Sequence, residues 1–227
     1  MRTGSSSGAA PPRPAPFVVL ASRSPQREAI LRQLGLPFRV TPSRHLETTV
    51  PGDPVATVVG NAVGKAHEVA GRESAGPAPA VLALEPGHLV LGVDTVVVLD
   101  ERVLGKPADA AEAAAFLVAL SGRRHDVVSG LCLLGAGGDA FTAHARTAVT
   151  FRALSRGAVA SYVATEEWRE RAGAYAIQGI GSALVTAVDG DYWNVVGLPV
   201  AVALDGLARF GVAPFSWLTA PPAPAAP

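Results

Sequence analysis

The sequence predicts an α/β protein in which a mixed, twisted sheet is flanked by helices and two lobes surround a central cleft. Two features of the chain predict this class. Strand-like and helix-like segments alternate through the first half, which is typical of parallel strands joined by helices. Hairpin patterns, with turn residues between apolar runs, dominate the middle and favour antiparallel pairing. The pattern leaves the order of the strands open.

The first strand and helix outline a candidate anion site. Residues 17–21 are a short apolar run, Ser24 is a good helix N-cap, and Pro25 suits the first helical position. Arg27 falls in the first helical turn, where the positive end of the helix dipole disfavours a cation. A bound anion would resolve that conflict, because free backbone N–H groups, the hydroxyl of Ser22 and the guanidinium would converge on it. The alternative is an ordinary capped helix with a solvated arginine.

The remaining elements follow from caps, turns and periodicity. Asp53 with Pro54 begins a second helix, Asp109 with Glu112 forms a capping box, and Ser155 caps a further helix. Apolar β-type runs bounded by turn residues predict the strands. In chain order we expect a helix at 25–34, a strand at 38–41, a helix from 54, a loop at 71–88 that includes a short strand at 81–84, strands at 89–99 and 103–104, a helix at 110–120, strands at 127–134 and 142–151, a short helix after 155, a strand at 183–188, and a last helix that starts near 199.

The composition fits one domain. The 227 residues are 49% hydrophobic, which is enough for a single core or for one domain with two lobes. We expect a two-lobed domain at residues 17–214, between a disordered tail at 1–16 and a Pro/Ala-rich tail at 215–227. Nineteen basic and nineteen acidic residues balance, which argues against non-specific binding to nucleic acid.

The sequence also argues against a disulfide, a metal site built from cysteine or histidine, a membrane span and a signal peptide. Cys132 is the only cysteine, which excludes an intrachain disulfide and a cysteine-cluster metal site, and its apolar neighbours indicate a core residue. The histidines are scattered without metal-ligand spacing, although His125 lies beside two arginines and could face phosphate. No apolar run is long enough for a membrane span, and residues 1–16 lack the apolar core of a signal peptide. We therefore expect a cytoplasmic protein without a membrane or nucleic-acid partner.

The most informative segment is the long apolar run at 89–99, which has one carboxylate, Asp94, in its middle. An ionised carboxylate in a core is costly, so Asp94 must meet a cation, a metal ion or several hydrogen-bond donors. Lys65, at the edge of the apolar arc of its helix, and Lys106, after the returning strand, could reach the same place. Gly92 would let a backbone or a ligand approach closely. The alternatives are a structural aspartate and surface lysines with buried stems.

Seven motifs, spread along the whole core, point to a family. They are Leu-Ala-Ser-Arg-Ser-Pro-Gln-Arg (20–27), Asn-Ala-Val-Gly-Lys-Ala (61–66), Gly-Val-Asp-Thr-Val-Val (92–97), Gly-Lys-Pro (105–107), Leu-Ser-Gly-Arg-Arg-His (120–125), Ala-Gly-Ala-Tyr-Ala-Ile-Gln-Gly (172–179) and Gly-Asp-Tyr-Trp-Asn-Val-Val-Gly-Leu-Pro (190–199). In this order and spacing they resemble the Maf family of nucleoside triphosphate pyrophosphatases, over roughly residues 17–212.

The resemblance implies a Maf/ITPase-like fold and hydrolysis of a nucleoside triphosphate between the α- and β-phosphates, which gives a monophosphate and pyrophosphate. It implies a divalent cation, Mg²⁺ or Mn²⁺, and it is compatible with a homodimer. By the same resemblance Asp94 is the proton acceptor, and the phosphate and metal end is lined by Arg27, Lys65, Lys106 and Glu47. An aspartate near its ordinary pKa is a weak base, so we expect Asp94, with Glu47, to share a role in holding metal and orienting water.

The resemblance also implies which three positions set the preference for the nucleobase. The subgroup that acts on dTTP and UTP is distinguished at the positions of Gln26, Thr95 and Gln178. Thr95 and Gln178 fit that subgroup, whereas the usual residue at the position of Gln26 is arginine, so the base preference stays open. The carboxamide of Gln178 has a donor and an acceptor that complement a uracil or thymine face. The alternative for Gln178 is a hydrogen bond between loop and strand.

Two functions of different class remain open. One is a pyrophosphatase that removes particular, including non-standard, nucleotides. The other is a nucleotide-sensing or division-related binding protein with little turnover. The set Arg27, Lys65, Asp94 and Lys106 favours the enzyme, because a simple binder of a polyanion has no need of a buried acid.

Overall fold

The computed structural model describes residues 17–73 and 87–218, which form a mixed sheet with helices on both of its faces. The strands are β1 (Phe17–Leu20), β2 (Phe38–Val40), β3 (His88–Leu99), β4 (Arg102–Leu104), β5 (Arg124–Gly135), β6 (Ala140–Phe151) and β7 (Val185–Asp189). The helices are α1 (Pro25–Gln33), α2 (Pro54–Glu73), α3 (Ala110–Leu120), α4 (Arg156–Ala164), α5 (Tyr192–Val196) and α6 (Val200–Arg209). Two 3₁₀ turns lie at Ala172–Ala174 and Gly179–Leu184.

The sheet has a gap along one edge of the inner strand β3. The strand order is β2-β1-β3-β5-β6-β7, with β4 also paired to β3. Strand β1 runs parallel to β3 and pairs with its residues 88–91, whereas β4 is antiparallel and pairs with residues 97–99. Strand β5 covers the opposite edge of β3 along residues 89–98. Residues 92–96 therefore lie between two separate partners on the same edge, and Asp94 stands at the centre of this gap.

Helix α2 packs unusually close to the sheet because two glycines make room for its backbone. A Cβ atom on Gly92 would lie 2.1 Å from the carbonyl oxygen of Ala62, and one on Gly130 would lie 2.3 Å from the carbonyl of Val58. The close approach predicted at Gly92 is thus an approach of backbone. It brings the polar residues of α2 against the centre of β3.

The opposite face of the sheet supports two lobes. Leu91 and Val93 pack in a core that includes buried residues of α1 and α6, whereas Val97 and Leu99 pack in a second core with buried residues of α3 and α4. Thr95 shares this face, because side chains alternate along a strand, and it falls between the two cores. A cleft between two lobes follows directly, and the α/β class with a mixed sheet is confirmed.

Most of the predicted elements are confirmed within a few residues. The capping hydroxyls and carboxylates accept backbone N–H groups as expected: Ser24 from Arg27 at 3.5 Å, Asp53 from Ala56 at 2.8 Å, Asp109 from Glu112 at 2.8 Å, and Ser155 from Ala158 at 3.1 Å. The strand expected at 183–188 begins only at Val185, because a 3₁₀ turn occupies Gly179–Leu184. The short helix α5 was not predicted.

The ends of two predicted segments differ from expectation. Helix α2 continues to Glu73, which shortens the loop expected at 71–88, and the short strand expected at 81–84 lies outside the described residues. Near the C-terminus Trp217 is buried and donates its indole N–H to the carbonyl oxygen of Leu34 at 2.9 Å, so packing continues past residue 214. Among the described residues, the helices are all too short or too polar to cross a bilayer.

We predict that Gly92→Ala destabilises the protein by about 1–3 kcal/mol, because the added methyl group forces α2 away from β3. Activity should fall with stability, since α2 also carries site residues. The matched control is Gly60→Ala, on the exposed side of the same helix, where a Cβ atom meets nothing within 4 Å. That control should gain up to about 1 kcal/mol. Chemical denaturation of both variants checks the pair, and equal stabilities would contradict the packing argument.

Candidate active site

A cleft of about 720 Å³ opens between the two lobes at the gap in the sheet. Its floor includes Asp94 and Thr95 of β3, and its walls come from the turn between β1 and α1, the segment at 43–49, helix α2 and residues 195–197. Because these segments are distant in sequence, the fold alone brings them together. The cleft is the natural candidate for a ligand site.

The centre of the cleft is an ion triad that we call the floor triad: Asp94, Lys65 and Glu47. The ammonium of Lys65 lies 2.7 Å from Oδ1 of Asp94 and 2.6 Å from Oε1 of Glu47, and it also donates to the carbonyl oxygen of Val93 at 3.3 Å. The side chains of Lys65 and Asp94 are only 9% and 8% exposed, whereas that of Glu47 is 51% exposed. Two carboxylates therefore share one buried cation.

The pKa of Glu47 reflects this arrangement. Partial burial raises the pKa of Glu47, but the positive charges of Lys65, Lys106 and Arg27 outweigh that effect and hold the pKa below its ordinary value. Glu47 consequently stays ionised at neutral pH. Its exposed carboxylate can bind a further cation at the mouth of the cleft.

Asn61 is a site residue that sequence reasoning missed. Its Nδ2 donates to Oδ2 of Asp94 at 2.9 Å and to the carbonyl oxygen of Thr48 at 3.0 Å, while its Oδ1 accepts the backbone N–H of Thr48 at 2.9 Å. One amide thereby fixes the Asp94 carboxylate and the segment that carries Glu47. The sequence did carry one signal for this role, because Asn61 lies on α2 one helical turn before Lys65 and on the same face.

Arg27 is buried and engages three different segments of the cleft wall. Its Nε donates to the carbonyl oxygen of Gly197 at 2.9 Å, and its two terminal nitrogens donate to Ser22 Oγ at 3.0 Å and Thr95 Oγ1 at 3.2 Å. Burial lowers the pKa of Arg27, and the charges of Asp94 and Glu47 oppose that shift. Arg27 thus adds positive charge near the floor triad, while its hydrogen bonds position Ser22 and Thr95.

Lys106 lines the same cleft as the floor triad, and its charge is one of those that lower the pKa of Glu47. It lines the rim of the cleft, is half-exposed, and forms an ion pair of 2.9 Å with Glu170. The structure places Lys106 in the same cleft as Asp94, although within the described residues its ion pair is with Glu170 and not with Asp94. Arg171, which was not among the predicted site residues, lines the same cleft, and its buried Nε has no hydrogen-bond partner within the described residues.

The three residues expected to read the base do not share one pocket. Thr95 lies on the cleft floor, where its Oγ1 is 2.8 Å from Ser129 Oγ. Gln178 lines a second, smaller pocket of about 240 Å³ that adjoins the cleft. Gln26 lines both cavities, and its Oε1 accepts the hydroxyl of Ser24 at 3.1 Å. The smaller pocket also has Arg171 in its wall.

Comparison with known proteins agrees with this geometry. The Maf-like protein family matches residues 17–210 of the chain. The chain belongs to the Maf family. A dTTP/UTP pyrophosphatase of Moorella thermoacetica is 48% identical over 197 residues, which cover 86% of this chain and 95% of that protein. The corresponding proteins of Symbiobacterium thermophilum and Deinococcus radiodurans, named likewise, are 44% and 40% identical, and cover 86% and 90% of this chain and 94% and 98% of their own length.

His125 and Cys132 are structural in this Maf protein. His125 is buried, its Nε2 lies 2.9 Å from Tyr175 Oη, and its ring packs edge-on against Phe151. Burial lowers the pKa of His125 to about 4, so it is neutral at physiological pH and does not face phosphate as a cation. Burial raises the pKa of Cys132 to about 11, which agrees with the core role predicted from sequence.

We predict that Asn61→Ala lowers kcat by about 10²-fold, because Asp94 loses a donor and the segment at 47–48 loses its anchor. The same change should cost about 1–3 kcal/mol of stability, since buried polar groups lose their partners. His67→Ala, at an exposed position on α2, is the control. Steady-state kinetics and thermal denaturation check both effects. Wild-type turnover in a folded Asn61→Ala protein would show that the amide does not position the site.

We predict that His125 makes the protein less stable in mild acid. Between its ordinary pKa of 6.5 and its folded value of about 4, the unfolded state binds a proton that the folded state does not. Stability therefore falls as pH drops through this window, by on the order of 3 kcal/mol at its lower end. Denaturation of wild type and His125→Gln, between about pH 7 and about pH 4.5, measures the difference. His144→Gln, on the exposed side of β6, should match wild type, and identical pH profiles for all three would contradict the assignment.

Proposed function

We propose that this Maf protein hydrolyses nucleoside triphosphates between the α- and β-phosphates, with dTTP and UTP as its principal substrates. The observation that carries the proposal is the floor triad, in which a buried carboxylate stands beside a cation at the bottom of a cleft. Eight relatives at 40–48% identity carry the name dTTP/UTP pyrophosphatase, which supports the choice of substrates. Binding of a polyanion explains why cations from several segments line the cavity.

The cations have distinct positions along the cleft. Lys65 lies at the floor, Arg27 beside it in the wall, and Lys106 and Arg171 nearer the rim. Hydrolysis of a triphosphate depends mainly on positioning and on neutralising charge that develops on the leaving group. We assign Ser22, Arg27, Lys65 and Lys106 to binding the phosphates. In this role the exposed ion pair of Lys106 with Glu170 would exchange for a substrate phosphate.

The carboxylates of the floor triad suit a divalent cation. Asp94 and Glu47 already converge on one positive centre, the ammonium of Lys65, at 2.7 and 2.6 Å. Their oxygens are hard donors of the kind that Mg²⁺ and Mn²⁺ prefer, and Mg²⁺ commonly uses one or two carboxylates together with substrate phosphates. Such a cation, when bound, would neutralise phosphate charge. Among the described residues no larger cluster of potential metal ligands occurs, so the substrate would complete the coordination.

Asp94 is the proposed catalytic residue. Asn61 fixes its Oδ2 and Lys65 its Oδ1, so the carboxylate has a defined orientation towards the cleft. From there it would orient a water molecule for attack on the α-phosphorus. The new bond joins the water oxygen to that phosphorus, the bond to the bridging oxygen breaks, and pyrophosphate leaves with its charge balanced by the cations. Asp94 would hold the water and accept its proton as the bond forms.

The nucleobase would occupy the smaller pocket, with Thr95 on the floor of the adjoining main cleft. Gln26 and Gln178 both line this pocket, and each carboxamide offers a donor and an acceptor. Uracil and thymine present acceptors on either side of an N–H group, so paired carboxamides can match them. A homodimer, a cytoplasmic location and a catalytic domain bounded by two tails complete the proposal, and size-exclusion chromatography tests the first of these.

We predict that Asp94→Asn lowers pyrophosphate release by at least about 10³-fold while the protein stays folded, because the isosteric amide cannot accept the proton or supply the charge. Purified wild type and variant are incubated with dTTP, UTP and other triphosphates, with and without Mg²⁺, and products are separated by chromatography. Asp139→Asn, at the exposed tip of the β5–β6 turn, is the control. Binding of dTTP without turnover by wild type, and no effect of Asp94→Asn, would instead support a nucleotide-binding regulator.

A further inference from the structure

The segment that carries Gln178 is a closed loop, which we call the 176–181 loop. It returns on itself so tightly that a Cβ atom on Gly181 would lie 2.1 Å from the carbonyl oxygen of Ala176. Gly179 adopts a left-handed conformation, with φ +68°, just after Gln178. Gln178 itself is exposed at the tip, in the wall of the smaller pocket. Within the described residues no hydrogen bond holds its side chain, so the direction of that side chain depends on how the loop is held.

Two side chains from the end of α4 and the following turn hold both ends of this loop. The hydroxyl of Tyr162 accepts the backbone N–H of Ala176 at 3.0 Å. The two carboxylate oxygens of Glu167 accept the backbone N–H groups of Ile180 at 3.0 Å and Gly181 at 2.9 Å. Three loop amides are therefore bound by two side chains, and residues 177–179 span the interval between them.

The holding residues are themselves well anchored. Tyr162 is buried in the core of its lobe. Burial, with a contribution from the charge of Glu167, raises the pKa of Tyr162 to about 12, although the hydrogen bond from Ala176 opposes the shift. Trp168, the neighbour of Glu167, is buried and donates its indole N–H to the carbonyl oxygen of Val163 at 2.9 Å. The residues around the loop are thus anchored in the core, while Gln178 at the tip lines the smaller pocket.

We propose that Tyr162 and Glu167 are positioning residues that set nucleobase selectivity by fixing the 176–181 loop, and through it the carboxamide of Gln178. This inference rests on the proposed function of the cleft. Glu167 also lines the smaller pocket, which places the support directly behind the base-reading group. The two residues lie far from the floor triad in the chain, and neither lines the main cleft. They act on binding of the base and not on the chemical step.

The decisive variant is Glu167→Gln, which keeps the size of the side chain. Its NH₂ group cannot accept an N–H, so at least one of the two loop bonds is lost. We expect the ratio of kcat/KM for dTTP over dCTP to fall about tenfold, through a higher KM for dTTP at nearly unchanged kcat. Glu166→Gln is the matched control, because that neighbouring carboxylate is exposed, pairs with Arg169 and lines neither cavity.

A double-mutant cycle tests whether Glu167 acts through Gln178. Gln178→Ala by itself should lower the selectivity ratio, and the addition of Glu167→Gln should then change that ratio little further. Additive effects of the two substitutions on the selectivity ratio would overturn the inference. An unchanged ratio in a folded Glu167→Gln protein, or an equal loss of kcat/KM for every triphosphate, would also overturn it. If Glu167→Gln does not fold, Tyr162→Phe, which keeps the ring, gives the same test at the other end of the loop. Failure of wild type to hydrolyse any triphosphate would refute the proposed function instead.

Discussion

The ion pair between Lys65 and Asp94 is the interaction on which the rest of the site depends. A carboxylate inside a sheet loses its hydration, and an unpaired charge there costs several kcal/mol. Lys65 compensates that cost only because α2 lies against β3 at the distance that Gly92 and Gly130 permit. Asn61, on the same helix face, completes the hydrogen bonding of Asp94. The position of the helix is therefore both a packing requirement and a condition for the ion pair of Asp94 with Lys65.

The topology of the sheet explains why this carboxylate is accessible at all. Strands β1 and β4 pair with opposite ends of the same edge of β3, which leaves residues 92–96 between them. A continuous neighbouring strand would have filled the space beside β3 into which the cleft now opens. On the far face, α1 with α6 and α3 with α4 pack in separate cores, and the gap lies between these two cores. The cleft is thus a consequence of strand pairing.

The sequence could predict features that depend on neighbouring residues or on a strong local pattern. Helix starts such as Asp109 were predictable because a cap binds residues only three positions away. Asp94 was predictable as a site because a lone acid in an apolar run demands a partner, and Lys65 proved to be that partner. The role of Asn61 was not predictable, because an amide on a helix gives no signal of function until its tertiary partners are known. The pairing of Lys106 with Glu170 likewise depends on how two loops meet.

The two ends of the cavity differ in how their residues are held, and that difference has a functional consequence. At the floor triad, the key atoms of Asp94 and Lys65 are buried and bonded from several directions, so a substitution there disturbs packing as well as chemistry. At the other end, Gln178 is an exposed side chain on a loop that is held through three backbone amides and through the buried side chain of Ile177. Its replacement costs little folding energy, because no buried contact is lost. Under the proposed function, a protein built in this way can keep its phosphate chemistry fixed while its base preference changes.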